Sequence, residues 1–328
     1  MTRRVGPDRG PDFLIIGAPK AGTTALHSAL AQHPQVFMSQ PKEPKYFLCD
    51  DAPPPHWRGP GDQHSQQEWV WHGDDYARLF ADAPDDRVRG ESTPFYLWSH
   101  GAHRRIAEAL PEARLIAVVR DPIDRAYSNW MHLWCDGLEP VSDFLTAFSL
   151  QDQRVRDGWA PFWRYRELGM YGEQLAHLHQ HVDTERVLLL RYKELVDDPT
   201  GAVDSACRFL GIETGLVTSI PRDNSRSYVE PGWRPRTLGP VVRAGAWLGQ
   251  FAPPDVWRRA APALLRHLAG PDEAHRPLLT AQQREQLVPC FADDIKLLSA
   301  VSGRDFGDWL STTSRGSFAQ RSTQRTSA

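Results

Sequence analysis

The sequence predicts a three-layer α/β fold, a sandwich of helices around a central parallel sheet. Three observations carry that prediction. The apolar runs Phe13–Ile16, Leu115–Val119 and Val187–Leu190 have the length and unalternating pattern of strands buried on both faces. Helical-period segments alternate with them, as parallel strands with crossover helices require. At 328 residues and 41% hydrophobic, the chain can bury one large core.

The elements follow in order. Residues 1–11 read as a flexible arm, 12–311 as a single domain and 312–328 as a disordered tail. FLIIGA (13–18) is the first strand, and TALHSALAQH forms a helix stopped by Pro34. Pro, His, Gln and Gly make 50–73 a long loop, and a helix covers 74–81. RVRGEST (87–93) and a helix over 101–110 precede the second strand, RLIAVVRD (114–121). Asp121-Pro122 starts the next helix, with Asp as cap and Pro at the first position, and it runs through RAYSNWMHLW. GMYGEQLAHLHQHV is helical, RVLLLRY (186–192) is a third buried strand, and DPTGAVDSACRFLGI is a helix with Gly211 as its C-cap. A Pro/Arg/Ser-rich loop spans 219–240, followed by helices over 241–250, 255–268 and 280–302. There is no internal repeat.

Composition narrows the function. A net charge of −3 speaks against general binding of nucleic acid. Cys49, Cys135, Cys207 and Cys290 are scattered without a C-x-x-C, unlike a disulfide scaffold or a structural zinc site. MTRRVGPDRGPD has no apolar segment of the signal-peptide kind, and no apolar run approaches a membrane span. The expectation is a soluble, cytoplasmic protein. Lysine is scarce: of 38 Lys+Arg only Lys20, Lys42, Lys45, Lys193 and Lys296 are lysine, three of them between positions 20 and 45.

Lys20 sits in Gly17-Ala-Pro-Lys20-Ala-Gly22-Thr23-Thr24, where the first strand turns into a helix. Gly17 and Gly22 have P-loop spacing, but Thr23 stands where an NTPase places its lysine. A helix N-terminus offers free N–H groups and a positive dipole end to an anion, and Lys20 adds a point charge. An ordinary βα turn with an exposed lysine has the same sequence. Arg120 ends the second strand and Ser128 follows two helical turns on, so a guanidinium and a hydroxyl can hold a second phosphate at the neighbouring strand end. A structural pairing of Arg120 with Asp121 or Asp124 is the simpler alternative when that stretch is taken alone.

Taken together, PKAGTT and RDPIDRAYSNWMH resemble the two phosphate motifs of the sulfotransferases that use 3′-phosphoadenosine 5′-phosphosulfate (PAPS), a P-loop NTPase-like α/β family. HPQVFMSQPKEPKYF is similar to the glycan-type branch, which includes heparan sulfate sulfotransferases, and 169–212 resembles the family's third stretch. The resemblance spans roughly residues 12–212. It implies PAPS as donor, 3′,5′-ADP as product and no metal. It implies that Lys20 donates to the bridging oxygen, that Ala21, Gly22, Thr23, Thr24 and Ala25 line the 5′-phosphate site, that Arg120 and Ser128 hold the 3′-phosphate, and that Tyr192 lies near the adenine. It also implies Glu43 as the general base for an acceptor hydroxyl; Lys42 and Lys45 flank it with compensating charge. Phenol-type relatives use a histidine in the stretch matching RVRGESTP (87–94), which has none.

Other positions are candidates for the acceptor and cofactor sides. Heparan-type enzymes often carry lysine where this chain has Ser92, a departure from their acceptor side; Ser92 and Lys45 are candidate acceptor contacts, and Arg226 or another arginine of NSRSYVEPGWRPR is a candidate cofactor contact. Trp57, Trp69 and Trp71 in the 50–73 loop suit stacking on a sugar or ring acceptor, or simple packing of that loop. Residues 233–266 combine Trp233, Trp247 and Trp257 with several arginines, a pattern shared by a peripheral membrane-surface helix and a core helix with snorkelling arginines. The expected activity is sulfuryl transfer to a hydroxyl of a carbohydrate, glycolipid or secondary metabolite. The alternatives are a P-loop kinase or NTPase and a non-catalytic 3′,5′-ADP-binding module.

Overall fold

A computed structural model of the protein describes residues 10–49, 52–60, 69–220 and 278–311. Five parallel strands form one sheet in the order β2-β3-β1-β4-β5. These are β1 (Phe13–Gly17), β2 (Val36–Met38), β3 (Val88–Ser92), β4 (Arg114–Val119) and β5 (Val187–Arg191). β1 is buried along its whole length and β4 from Leu115 onward, as their unbroken apolar runs require. β5 is an edge strand, and Val187 and Leu188 are only half-buried, so the third strand is less enclosed than its sequence suggests. β2 is three residues long, too short to leave a pattern in the sequence.

The helices are α1 (Thr23–Leu30), α2 (Gly73–Arg78), α3 (His100–Ala109), α4 (Pro122–Cys135), α5 (Phe144–Ser149), α6 (Gln151–Arg156), α7 (Tyr171–Leu178), α8 (Tyr192–Asp197), α9 (Pro199–Leu210), α10 (Ala281–Leu287) and α11 (Ala292–Ser302). The chain moves one way across the sheet from β1 to β2 and the other way from β3 to β4 to β5. Right-handed crossovers therefore place α1 on one face and α3 and α7 on the other, giving three layers. Contacts agree: α1 touches α9, α3 touches α7, and α11 packs along α7.

Local chemistry accounts for the ends. The Asp121 side chain accepts from the N–H groups of Ile123 and Asp124, with Pro122 at the first position of α4. Asp198 caps α9, and Gly211 closes it in the left-handed conformation. The single helix expected over 280–302 is instead two, α10 and α11, joined by a 3-10 turn at Val288–Cys290; Pro289 lacks the N–H that a continuous helix needs. The expectations for 241–250, 255–268 and the 233–266 segment lie outside the described residues. Among the described residues no helix is long and apolar enough to cross a membrane.

The C-terminal helices clamp the sheet end that matters. Arg284 of α10 donates to the carboxylates of Asp121 and Asp124, the latter at 3.1 Å. Asp294 of α11 accepts from the backbone N–H groups of Gly172 and Glu173 at 2.9 and 2.8 Å. Burial is the main cause that lifts the Asp121 carboxyl to about 6, with Asp124 adding to it and Arg284 opposing.

Candidate active site

The chain leaves β1 toward β2 and leaves its neighbour β4 toward β5, in opposite directions across the sheet. The carboxyl ends of β1 and β4 therefore flank the crevice where open α/β sheets bind ligands. The loop after β1 carries Lys20 and Gly22, and the loop after β4 carries Arg120.

Gly22 has φ 93°, and a Cβ there would stand 2.9 Å from Cδ2 of Tyr192. Both facts demand glycine. Gly22 precedes α1 with no side-chain cap, so the first-turn N–H groups of Thr23, Thr24 and Ala25 have no intrahelical acceptor. Ala21 is fully buried and donates its N–H to the Ala18 carbonyl at 3.1 Å.

Arg120 ties three strand ends together. Its Nη1 donates to the Lys20 carbonyl at 3.3 Å, and its guanidinium lies 4.7 Å from the centre of the Tyr192 ring. Tyr192 opens α8 directly after β5. Lys20, Gly22, Arg120 and Tyr192 thus share one place, although they lie far apart in sequence. Ser128 is half-exposed, two turns into α4. Arg226 lies outside the described residues.

His132 is part of the site and was not singled out by the sequence. Its Nδ1 lies 3.3 Å from Lys20 Nζ, and its Nε2 lies 3.7 Å from Asp136 Oδ2. This assigns the proton to Nε2 and the lone pair to the nitrogen facing Lys20. The available signal was spacing: Ser128 and His132 are four apart on one helix and so share a face.

Glu43 sits on the other side of β1. Its carboxylate accepts from Lys42 Nζ at 2.6 Å, with the two side chains 21% and 31% exposed. Lys45 turns elsewhere, its ammonium 5.4 Å from the centre of the Trp69 ring. The loop is unusual in its backbone. Among the described residues, the non-glycine positions with positive φ are Lys20 at 68°, Glu43 at 62° and Lys45 at 62°. Such conformations cost free energy and persist where surrounding bonds hold them.

The bonds that hold this loop come from the end of β3. The Glu43 N–H donates to the Ser92 carbonyl at 3.0 Å, and the Lys45 N–H donates to the Thr93 hydroxyl at 3.2 Å. That hydroxyl donates in turn to Glu91 Oε2 at 3.2 Å. Glu91 is fully buried, and its carboxyl is pushed up to about 8. Burial is the main cause, and the charge of Glu43 adds to it against hydrogen bonds from Tyr96 and Thr93. Glu91 is therefore a neutral acid at pH 7.

The Ser92 side chain is fully buried and its hydroxyl lies 2.9 Å from His27 Nδ1, so it supports the loop from beneath. Burial is the chief cause that lowers His27 to about 4, with Lys42 adding and Glu43 opposing, which keeps that imidazole neutral. Trp57 lies in the described part of the 50–73 loop, with its ring 6.0 Å from the Arg164 guanidinium. Among the described residues no group of three or more potential ligands is arranged to hold a metal.

Known proteins are similar to this chain. The human heparan sulfate glucosamine 3-O-sulfotransferase 6 is 29% identical over 243 residues, 71% of this chain and 64% of its own length. The human bifunctional heparan sulfate N-deacetylase/N-sulfotransferase 2 is 30% identical over 62% of this chain and 22% of its own length. The chain thus spans less than two thirds of either relative. A crystal structure of a sulfotransferase from Alicyclobacillus acidocaldarius superimposes with TM-score 0.69 at 27% identity, covering 91% of this chain and 98% of that one. The sheet order and strand–loop–helix geometry are those of the P-loop NTPase-like fold that sulfotransferases adopt. The model of the sulfotransferase family matches residues 11–215, which include both strand-end loops and the Glu43 segment, and the chain belongs to that family.

Proposed function

We propose that this protein transfers the sulfuryl group of PAPS to a hydroxyl of a carbohydrate, glycolipid or secondary-metabolite acceptor, with Glu43 as general base. The observation that carries the proposal is the meeting of Lys20, Arg120 and Tyr192, from the ends of β1, β4 and β5, around the tight turn at Gly22.

The residues present fit the donor. The uncapped start of α1 and Lys20 suit the 5′-phosphosulfate, Arg120 and Ser128 suit the 3′-phosphate, and the Tyr192 ring suits an adenine face. In the transfer, the bond between sulfur and the bridging oxygen breaks as the acceptor oxygen bonds to sulfur. The acceptor proton passes to the Glu43 carboxylate, and 3′,5′-ADP leaves with the bonding electrons. Lys20 faces the developing charge on the leaving oxygen, and His132 holds its ammonium from behind. Relatives named as heparan sulfate sulfotransferases, one of them for glucosamine, support a sugar-type acceptor.

Calorimetric titration tests the donor site. Binding of 3′,5′-ADP should exceed that of 5′-AMP by about 10-fold or more, the worth of a charge-assisted contact to the 3′-phosphate. Equal affinities would remove Arg120 and Ser128 from the role given them.

A further inference from the structure

We infer that the acceptor is a small, uncharged molecule carrying its hydroxyl beside a flat apolar ring face, not a sulfated glycan chain. The inference rests on the sulfuryl-transfer reading above and concerns the acceptor side of the same centre.

An arc of rings joins the two halves of that centre. At one end the Ser92 carbonyl holds the backbone of Glu43. Three residues beyond Ser92, the Phe95 ring meets Phe162 edge-on, with centroids 5.9 Å apart. Phe162 meets His132 edge-on at 5.6 Å, and His132 contacts Lys20. The acceptor oxygen must lie between the Glu43 carboxylate and a sulfuryl group at Lys20. The body of the acceptor then runs along the Phe95–Phe162 arc. Farther out, the Arg164 guanidinium lies 5.1 Å from the Trp98 ring and 6.0 Å from the Trp57 ring. Phe95, Phe162, Trp57 and Trp98 are all half-buried, and Phe162 and Trp57 pack against the core.

The wall is fixed rather than adaptable. Asn129 Nδ2 donates to the Phe162 carbonyl at 3.1 Å, and Arg125 donates to the Tyr165 carbonyl at 2.6 Å. Arg154 binds the buried Glu139 with both nitrogens, at 2.9 and 2.6 Å, and Tyr165 donates to the same carboxylate.

Charge argues the same way. A sulfated chain is recognised by several cations presented to its sulfates. Among the described residues, three cations beside the proposed acceptor path already have partners. Lys42 serves Glu43 and Lys45 covers Trp69. Arg164 lies between two indoles and 3.3 Å from Glu167, which also accepts from Trp98 Nε1 at 3.1 Å. A guanidinium held over indole rings extends a flat stacking surface. Such a surface favours the C–H face of a neutral sugar ring or an aryl group.

The test is calorimetry on the full chain saturated with 3′,5′-ADP, with phenyl β-D-glucopyranoside and an N-sulfated heparan tetrasaccharide as probes. The phenyl glucoside should bind at least about 10-fold more tightly than the tetrasaccharide. Phe162→Ala and, separately, Trp57→Ala should each weaken it about 10-fold, one stacking contact, with 3′,5′-ADP affinity unchanged. Trp57 lies on a surface loop, so its variant decides the matter if Phe162→Ala fails to fold. Tighter binding of the tetrasaccharide, no binding of the phenyl glucoside, or indifference to a folded variant would overturn the inference. Failure of 3′,5′-ADP itself to bind would instead overturn the donor reading, and the first titration shows it.

Discussion

Glu91→Gln is the perturbation whose outcome can be worked most fully. Glu91 is fully buried at the end of β3, with its carboxyl raised from 4.5 to about 8. Between those two values the unfolded chain has released the Glu91 proton and the native protein has kept it. The native state binds more protons in that window, so this residue lowers stability as pH rises through it and has a constant effect above about 8. One proton is worth about 1.36 kcal/mol per pH unit, so roughly 2.7 kcal/mol accumulates between pH 5.5 and 7.5. For a chain of this size that is about 5 °C in Tm, at about 2 °C per kcal/mol. Glutamine has nearly the same shape and no proton to lose. Melting curves of both proteins across that range measure the difference, in which all other titrating groups cancel. The Tm of the variant relative to wild type should rise by about 5 °C from pH 5.5 to 7.5. Parallel profiles would mean that Glu91 is ionised in the native protein, and the account of how β3 supports the Glu43 loop would fall with it.

Two further outcomes follow from the same geometry. Gly22→Ala places a Cβ against Tyr192 at a φ of 93°, and the left-handed backbone alone costs about 1–2 kcal/mol. Its affinity for 3′,5′-ADP, measured by calorimetry, should fall by about 10-fold and its Tm by about 2–4 °C; unaltered affinity would separate Gly22 from the donor site. Arg284→Ala strands the Asp121 carboxylate, since the two side chains are only 8% and 13% exposed. Breaking such a pair costs about 3 kcal/mol, and thermal melting at pH 7.5 should show a loss of about 6 °C.

The parts of this fold that were legible in the sequence are those written in contiguous residues. Phe13–Ile16 and Leu115–Val119 announce the central strands because strands buried on both faces need no polar alternation. Asp121-Pro122 and Gly211 mark helix ends through their own backbone chemistry. Lys20 and Arg120 were legible because each stands in the turn that follows a buried strand, although their meeting is seen only in three dimensions. Glu43 came from resemblance, and nothing local distinguishes KEPK from a solvated charged turn.

The contacts that shape the site join distant positions, and no local pattern encodes them. Tyr192 closes on Gly22, His132 reaches Lys20, and Glu91 acts on Lys45 through Thr93. The break at Pro289 is written in the sequence as a missing backbone donor within a stretch of helical period. The scarcity of lysine gains a structural counterpart. Lys20 and Lys45 occupy left-handed positions, and Glu43 between them in sequence does as well. The backbone is strained where the compact ammonium groups stand.

The central claim is transfer of a sulfuryl group with Glu43 as base, and radiolabelled PAPS measures it directly. Wild-type protein and Glu43→Gln are each incubated with ³⁵S-labelled PAPS and a hydroxyl acceptor, with 3′,5′-ADP affinity determined in parallel. The account predicts labelled acceptor from the wild type, and about 100-fold slower labelling by the variant at unchanged 3′,5′-ADP affinity. Labelling by the variant at the wild-type rate would contradict it.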